Sequence, residues 1–352
     1  MNRITDEQYM RRCLELAAKG AGYVAPNPMV GSVLVYNDRI IGEGWHERYG
    51  EAHAEVNCIR SVKEEDRPLI PQSTLYVSLE PCAHYGKTPP CADLVIREGI
   101  KKVVVATRDP FDQVNGKGIE KLRNAGVEVV LGVCEMQARE QNRRFFHFHT
   151  LRRPYVVLKW ACSLNNAIAT GDKKPVAISC ALTNRLVHQW RAEESAILIG
   201  ANTGVIDNPS LTVRLVNGKN PVRLLLDSNL RVPLTHKIYN DQAPTIVYNV
   251  LQEGRWANVE LVRLDKGKPL LGQVMQDAWK RKLLSILVEG GARTHEQFLR
   301  EGYADELRRI QSRELIIYGG YPAPAIGEME LKQRFTLGKD EISIFAPQTS
   351  RL

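Results

Sequence analysis

The chain has 352 residues, 43% hydrophobic and 25% charged, with a formal net charge of +8; two domains are expected at this length, and the lack of any run of about 18 apolar residues argues against a membrane-spanning helix. Residues 1–150 carry 20 basic and 20 acidic side chains, so the excess falls on residues 151–352, with 28 and 20. No block of about five or more like charges occurs and aromatics are 7%, which disfavours a nucleic-acid partner and leaves a phosphorylated small molecule or a merely solvated basic face.

TDEQYMRRCLELAAKG, starting at Thr5, spaces its apolar residues helically behind a Thr5 or Asp6 cap. This start has no apolar stretch or cleavage site of a secretory signal, so a cytoplasmic protein is expected. Seven cysteines at irregular spacing do not make a disulfide framework; in a reducing compartment they favour metal binding or catalysis. Strands follow at 29–35 and 39–41 around an Asn37-Asp38 turn. Residues 54–62, 92–98 and 118–125 read as helices, and 74–78, 102–106 and 127–131 as strands, an α/β sandwich on one sheet. REQNRRFFHFHTLRRPY, residues 139–155, is polar and basic and closes on a proline. The domain boundary is placed in it, giving domains at 1–148 and 149–352. A second α/β unit starts with the strand VVLKWACSL. Strands at 196–199, 223–226, 245–247 and 285–288 follow, with a helix over 183–194 that aligns Leu186, Val187 and Trp190. Residues 321–352 are the least informative.

Two stretches carry chemistry. EAHAEVNCI (51–59) offers His53 and Glu55; SLEPCAHYGKTPPCADLVI (78–96) offers Cys82 and Cys91. One His and two thiolates leave a tetrahedral zinc one open position, the ligation of catalytic rather than structural sites. Zinc so held brings a water toward a pKa of about 7. A carboxylate beside the metal but not on it then moves the proton, and Glu55 is placed to do so. H-A-E and P-C match the zinc deaminase signature H-x-E…P-C-x-x-C, but eight residues, AHYGKTPP, separate the thiols instead of two. Both thiols are expected at helix starts, where the dipole favours thiolate. A structural zinc, with Cys58 or His84 as fourth ligand, is the competing reading. H-x-E alone is a weak signal; the ordered combination is what carries weight.

APNPMVGSVLV, GEGWHERYGEAHAE and LEPCAHYGKTPPCADLVI together resemble the deaminase domain of the bifunctional riboflavin-biosynthesis deaminase–reductases, and RDPFDQVNGKGIEKLRNAGVEV continues the likeness. The resemblance implies a cytidine-deaminase-like α/β/α domain. It implies hydrolytic deamination of a diaminopyrimidinone that carries a ribosylamino 5′-phosphate. Glu55 is then the catalytic residue, and Asn27, His46, His84 and Lys87 contact substrate. Lys87 suits a phosphate as a point charge, and Asn27 offers a pyrimidine edge both donor and acceptor.

YVVLKWACSL, WRAEESAILIGANTGVIDNPSLTVR, PVRLLLDS and ILVEGGARTHEQFL resemble the family's reductase domain. The implied fold is dihydrofolate-reductase-like and the implied chemistry is NADPH reduction of the ribosyl side chain to ribityl. Arg191, Leu211, Arg214 and Glu289 fall at substrate positions. Ala161, Thr203, Asp207, Ser228 and the run Gly291, Ala292, Arg293, Thr294, His295, Glu296 and Gln297 fall at cofactor positions. No G-x-G-x-x-G occurs, whereas strand–Gly-Gly–helix lets N–H groups meet a phosphate. Asp207 is the carboxylate expected to orient ribose or cofactor.

Two departures stand out. The family's S-L-D-G is Ser163-Leu164-Asn165-Asn166 here, and Ala177 stands where many members have Trp. A deaminase with a degenerate second domain is therefore the alternative; a nucleic-acid deaminase and a structural zinc protein are the other competing readings. The expected assembly is a homo-oligomer without nucleic-acid or membrane partners.

Overall fold

The computed structural model describes residues 5–83, 85, 89–111, 114–172, 174 and 176–348. The chain divides into two compact units, Met1–Leu151 and Arg152–Leu352.

The first unit opens with α1 (Asp6–Ala18). The Thr5 N–H donates to Gln8 Oε1 at 2.8 Å, half of a capping box. β1 (Gly31–Tyr36) and β2 (Arg39–Trp45) form a hairpin. Asn37 and Asp38 both take positive φ, 44° and 62°, as a two-residue turn matched to strand twist requires. Then come α2 (Ala54–Arg60), β3 (Thr74–Val77), α3 (Cys91–Arg97), β4 (Lys102–Val105), α4 (Lys117–Asn124) and β5 (Glu128–Leu131). The strand order is β2-β1-β3-β4-β5; β3, β4 and β5 are parallel and β1 runs against β3. Period-two alternation divides the core between the sheet faces. Val33, Tyr76 and Val104 pack with Tyr9, Met10 and Leu16 of α1. Leu34, Leu75, Val77 and Val103 pack with Ile59, Ala92, Val95 and Leu122 of α2, α3 and α4.

The polar connection expected over residues 139–155 is instead helical for most of its length: α5 (Glu135–Gln141) and α6 (Arg143–Leu151). Its charges mask a buried trio, Phe145, Phe146 and Phe148. The His149 ring lies 4.5 Å from that of Phe145 and 4.9 Å from that of Phe111. Residues 149–151 therefore belong to the first unit rather than opening the second. Asn142, buried between the two helices, accepts from Met29 N and donates to Met29 O, both at 2.8 Å. This amide fixes the segment just beyond Asn27.

The second unit contains β6 (Tyr155–Cys162), β7 (Ala167–Ala169), α7 (Ala181–Glu193), β8 (Ala196–Gly200), α8 (Ala201–Asp207), β9 (Val222–Leu226), β10 (Thr245–Asn249), β11 (Gly254–Trp256), β12 (Val259–Arg263), α9 (Leu270–Lys280), β13 (Ser285–Val288), α10 (Ala292–Arg300), β14 (Glu306–Ser312), β15 (Tyr321–Pro322), β16 (Met329–Leu337) and β17 (Asp340–Pro347). Its large sheet runs β11-β12-β10-β9-β8-β13-β6-β14-β17-β16. The stretch from β12 to β14 is parallel, so its strands are covered on both faces and read as continuous apolar runs. Val156, Leu158, Leu198, Ile286 and Val288 face α9 and Phe298 of α10. Val157, Leu287 and Ile310 face Val187 and Trp190 of α7. Much of the region unread in the sequence is the antiparallel β16–β17 pair at the sheet edge. No helix among the described residues is long and apolar enough to cross a membrane.

Candidate active sites

His53 is the residue at which α2 begins, and Cys91 is the first residue of α3. Cys82 lies in the irregular segment after β3, not at a helix start as expected. It faces the start of α3 from outside, its Sγ 3.3 Å from the Cys91 N–H. His53 Nδ1 lies 3.6 Å from Cys82 Sγ and 3.4 Å from Cys91 Sγ, and the three ligand atoms are all within 4.8 Å of one another. Tetrahedral zinc with ordinary Zn–S and Zn–N bonds separates such atoms by about 3.5 Å, so the donor set fits zinc in identity and spacing. The Cys91 thiol, and after it His53, stabilise Cys82 as thiolate against the effect of burial, to about 4. The Cys82 hydrogen bond raises His53. Cys58 is not in the cluster; its thiol is fully buried and burial pushes it up to about 12. His84 and Lys87 lie outside the described residues.

Glu55 sits in the first turn of α2, buried, within hydrogen-bonding reach of Cys91; burial raises its carboxyl. The His46 ring meets that of His53 edge-on at 5.5 Å. His46 Nδ1 faces Ala52 O at 3.0 Å and its Nε2 faces Asn27 Nδ2 at 3.1 Å. A carbonyl requires a donor, so Nδ1 carries the proton and Nε2 accepts from the Asn27 amide. This orients Asn27 Oδ1 as the end left to accept from a ligand.

Sequence reasoning missed Glu80. One of its oxygens accepts from Asp109 N (3.2 Å) and Gly116 N (2.9 Å); the other accepts from Gly118 N (2.9 Å) and Ile119 N (3.3 Å). Gly118 lies so close that a Cβ there would fall 1.9 Å from Pro81 O. Glu80 thus ties the Cys82 segment to the loop before α4. A carboxylate two residues before the thiol, in a stretch otherwise buried, was the available signal.

In the second unit the carboxyl ends of β6, β8, β9 and β13 surround a cavity of ≈ 960 Å³, where open parallel sheets bind ligands. Ala161, Thr203, Asp207, Ser228, Gly291, Ala292, Arg293, Thr294, Gln297 and Glu289 line it. His295 and Glu296 do not. Helical periodicity turns Arg293, Thr294 and Gln297 to the cavity, the His295 ring to the core and Glu296 to solvent. The His295 ring, fully buried, faces the carbonyls of Gly291, Lys159 and Val288 at 3.1, 3.1 and 3.2 Å. These contacts tie the His295 ring to the Gly-Gly turn and to β6.

Glu289 accepts two bonds from Arg191, at 2.7 and 2.8 Å, and stands 3.7 Å from Lys159 Nζ. Burial opposes its charge, but Arg191 and then Lys159 bring it down to about 2. Arg191 also donates to Thr212 O at 3.3 Å, and Arg214 to Thr212 Oγ1 at 2.8 Å. Three of the expected substrate residues are therefore linked. The side chain of Leu211, the fourth expected substrate residue, is buried in the core cluster on the face of β8 and β9, which leaves its backbone for a ligand. Lys159 was missed. Its signal was a lone charge in an apolar strand, VVLKWAC; burial lowers its pKa.

Residues 3–107 match the family of the cytidine and deoxycytidylate deaminase zinc-binding region, and residues 154–328 match the RibD C-terminal domain. The chain is 43% identical over 316 residues to the riboflavin biosynthesis protein RibD of Aquifex aeolicus, covering 87% of this chain and 86% of that one. It is 35% identical over 319 residues to RibD of Escherichia coli, covering 86% of each. A solved Thermotoga maritima diaminohydroxyphosphoribosylaminopyrimidine deaminase/5-amino-6-(5-phosphoribosylamino)uracil reductase superposes with a TM-score of 0.87 at 36% identity, over 97% of this chain and 98% of that one. Acinetobacter baumannii RibD gives 0.88 at 32%, over 98% and 99%.

Proposed function

The chain belongs to the RibD family of bifunctional riboflavin-biosynthesis enzymes, and from that premise we propose how its own residues divide two reactions. The first unit hydrolytically deaminates 2,5-diamino-6-ribosylamino-4(3H)-pyrimidinone 5′-phosphate, and the second reduces the ribosyl chain to ribityl with NADPH. The observation that carries this is the pairing, in one chain, of the His53–Cys82–Cys91 triad beside Glu55 with the strand-end cavity around Glu289. That cavity, with the match of the second unit to a reductase domain, favours both activities over a deaminase alone.

His53, Cys82 and Cys91 would hold a zinc ion with one open position, and that zinc would lower the pKa of a water there. Glu55 takes one proton from that water and gives it to the ring nitrogen as the oxygen attacks the ring carbon; it then takes the second proton from the new hydroxyl and gives it to the amine, which leaves as ammonia. Asn27 Oδ1 accepts from the pyrimidine edge, and His46 keeps that amide in orientation. Lys87 pairs with the phosphate. NADPH supplies the hydride. The Gly290–Gly291 turn offers α10 N–H groups to its diphosphate, and Arg231 at the end of β9 suits the extra phosphate. Asp207, on the same wall, contacts the cofactor. Lys159 protonates the sugar oxygen as the hydride arrives, and Arg214, exposed at its end of the Glu289 network, holds the substrate phosphate. Uncrosslinked cysteines throughout suit a cytoplasmic enzyme, and the assembly is taken as a homo-oligomer, which sedimentation decides.

The test supplies the diaminopyrimidinone phosphate and follows ammonia release and NADPH oxidation separately. Both signals, in that order, are expected. Ammonia without NADPH oxidation, together with no NADPH binding by calorimetry, leaves only a deaminase.

A further inference from the structure

The cavity of the second unit has a direction. Its walls come from adjacent strands in the order β9-β8-β13-β6, three spacings or roughly 14 Å. At the β9 end stand Ser228, Asn229 and the exposed Arg231, a setting for a phosphorylated ribose. In the middle, the Gly290–Gly291 turn opens α10, a setting for a diphosphate. At the β6 end Lys159 approaches Glu289, where the reacting sugar must lie. Taking NADPH as the occupant, as proposed above, its adenosine half belongs at β9 and its nicotinamide at β6.

A flat ring at the β6 end calls for a flat wall. Among the described residues, two aromatic side chains line the cavity, Trp160 and Tyr321. Trp160 is 4% exposed, with its indole in the core and edge-on to His295 at 5.1 Å. Lys174 and Val176, which also line the cavity, are not aromatic. Tyr321 is 46% exposed, and among the described residues no ring contact or hydrogen bond engages its side chain. Its backbone is nonetheless fixed. β15 pairs with β7, setting Tyr321 opposite Ala169, itself on the cavity wall. Close approach at Gly320, where a Cβ would meet Ala169 O at 2.6 Å and Ala167 Cβ at 2.8 Å, holds the ribbon tight. We propose that Tyr321 is the aromatic wall on which the nicotinamide ring of NADPH stacks.

The test is calorimetry on the full chain with two ligands: NADPH, and 2′-phospho-ADP-ribose, which lacks the nicotinamide. Tyr321→Ala should weaken NADPH roughly three- to tenfold, the range of an aromatic pair, and leave 2′-phospho-ADP-ribose unchanged. Tyr321→Phe should restore NADPH binding. Equal weakening of both ligands places the ring at the adenosine end and overturns the proposal. Unaltered NADPH affinity in Tyr321→Ala also overturns it while the reductase reading stands. A wild-type protein that binds neither ligand removes the reductase reading itself, and this proposal with it.

Discussion

Replacing Asn165 by Asp should weaken the protein rather than repair it. Family resemblance makes Asp-Gly the expected pair at 165–166, and on that ground alone restoring it should raise reductase activity. The structure argues otherwise. Asn165 Oδ1 accepts from Ile317 N at 3.1 Å and from Ser163 Oγ at 2.6 Å, while its Nδ2 donates to Ile317 O at 3.0 Å. The amide matches both polar groups of one backbone residue. A carboxylate keeps the acceptor but sets its second oxygen against the Ile317 carbonyl. One hydrogen bond is lost and a carbonyl is left facing negative charge, a cost of about 1–3 kcal/mol. For a unit of this size that lowers Tm by roughly 2–12 °C. Asn166 has φ 60°, which Asn tolerates and Gly prefers. Asn166→Gly relieves that strain but loses the 3.2 Å contact with Gln311, so it should be near neutral. Neither residue lines the cavity. Thermal unfolding of the two single variants and the double variant, with NADPH oxidation on deaminated substrate, checks this. An Asn165→Asp protein that melts with wild type, or a double variant with severalfold faster NADPH oxidation, refutes the reasoning.

Cys82→Ser and Cys91→Ser should each lose most bound zinc, as metal analysis of purified protein would report; full zinc content in both removes the triad as the metal site. Glu80→Gln puts an amide N–H against backbone donors, so it should cost about 2 kcal/mol or more and speed zinc loss to a chelator; an unchanged exchange rate would show that Glu80 does not steady the Cys82 segment. The Glu289 carboxyl, ordinarily near 4.5, is brought down to about 2 by Arg191 and Lys159. A depressed acid stabilises the fold above its unfolded pKa, and that stability is lost as pH falls from about 4.5 toward 2, ~3 kcal/mol in all. Denaturation of Glu289→Gln should lack this component while losing stability at pH 7, because Arg191 and Lys159 keep buried charge without their carboxylate; an unchanged acid profile counts against the network.

Much of this molecule was legible because its signals are local. The Asn37-Asp38 turn, the Thr5 cap and the unbroken apolar strands of a parallel sheet depend on near neighbours and were readable in position. H-A-E and P-C were readable because metal chemistry restricts residue types and order. What stayed hidden depends on distant partners. Phe145, Phe146 and Phe148 looked like parts of a basic connection because Arg143 and Arg144 dilute the apolar pattern of α6. Leu211 and His295 lie in matching stretches, yet packing turns both side chains inward. Glu80 and Lys159 are single charges whose roles appear only when loop and strand ends converge. The β16–β17 pair is mostly exposed along β16, so it lacks the apolar pattern that betrays a buried strand.

The central claim is that one chain carries two separable reactions, with Glu55 serving only the first. Glu55→Gln tests it most directly, because glutamine keeps the size and loses the proton transfer. The variant should retain about one zinc per chain, release ammonia about a hundredfold or more slowly, and oxidise NADPH at the wild-type rate when given deaminated substrate. Near wild-type ammonia release, or a parallel collapse of NADPH oxidation, would contradict the account.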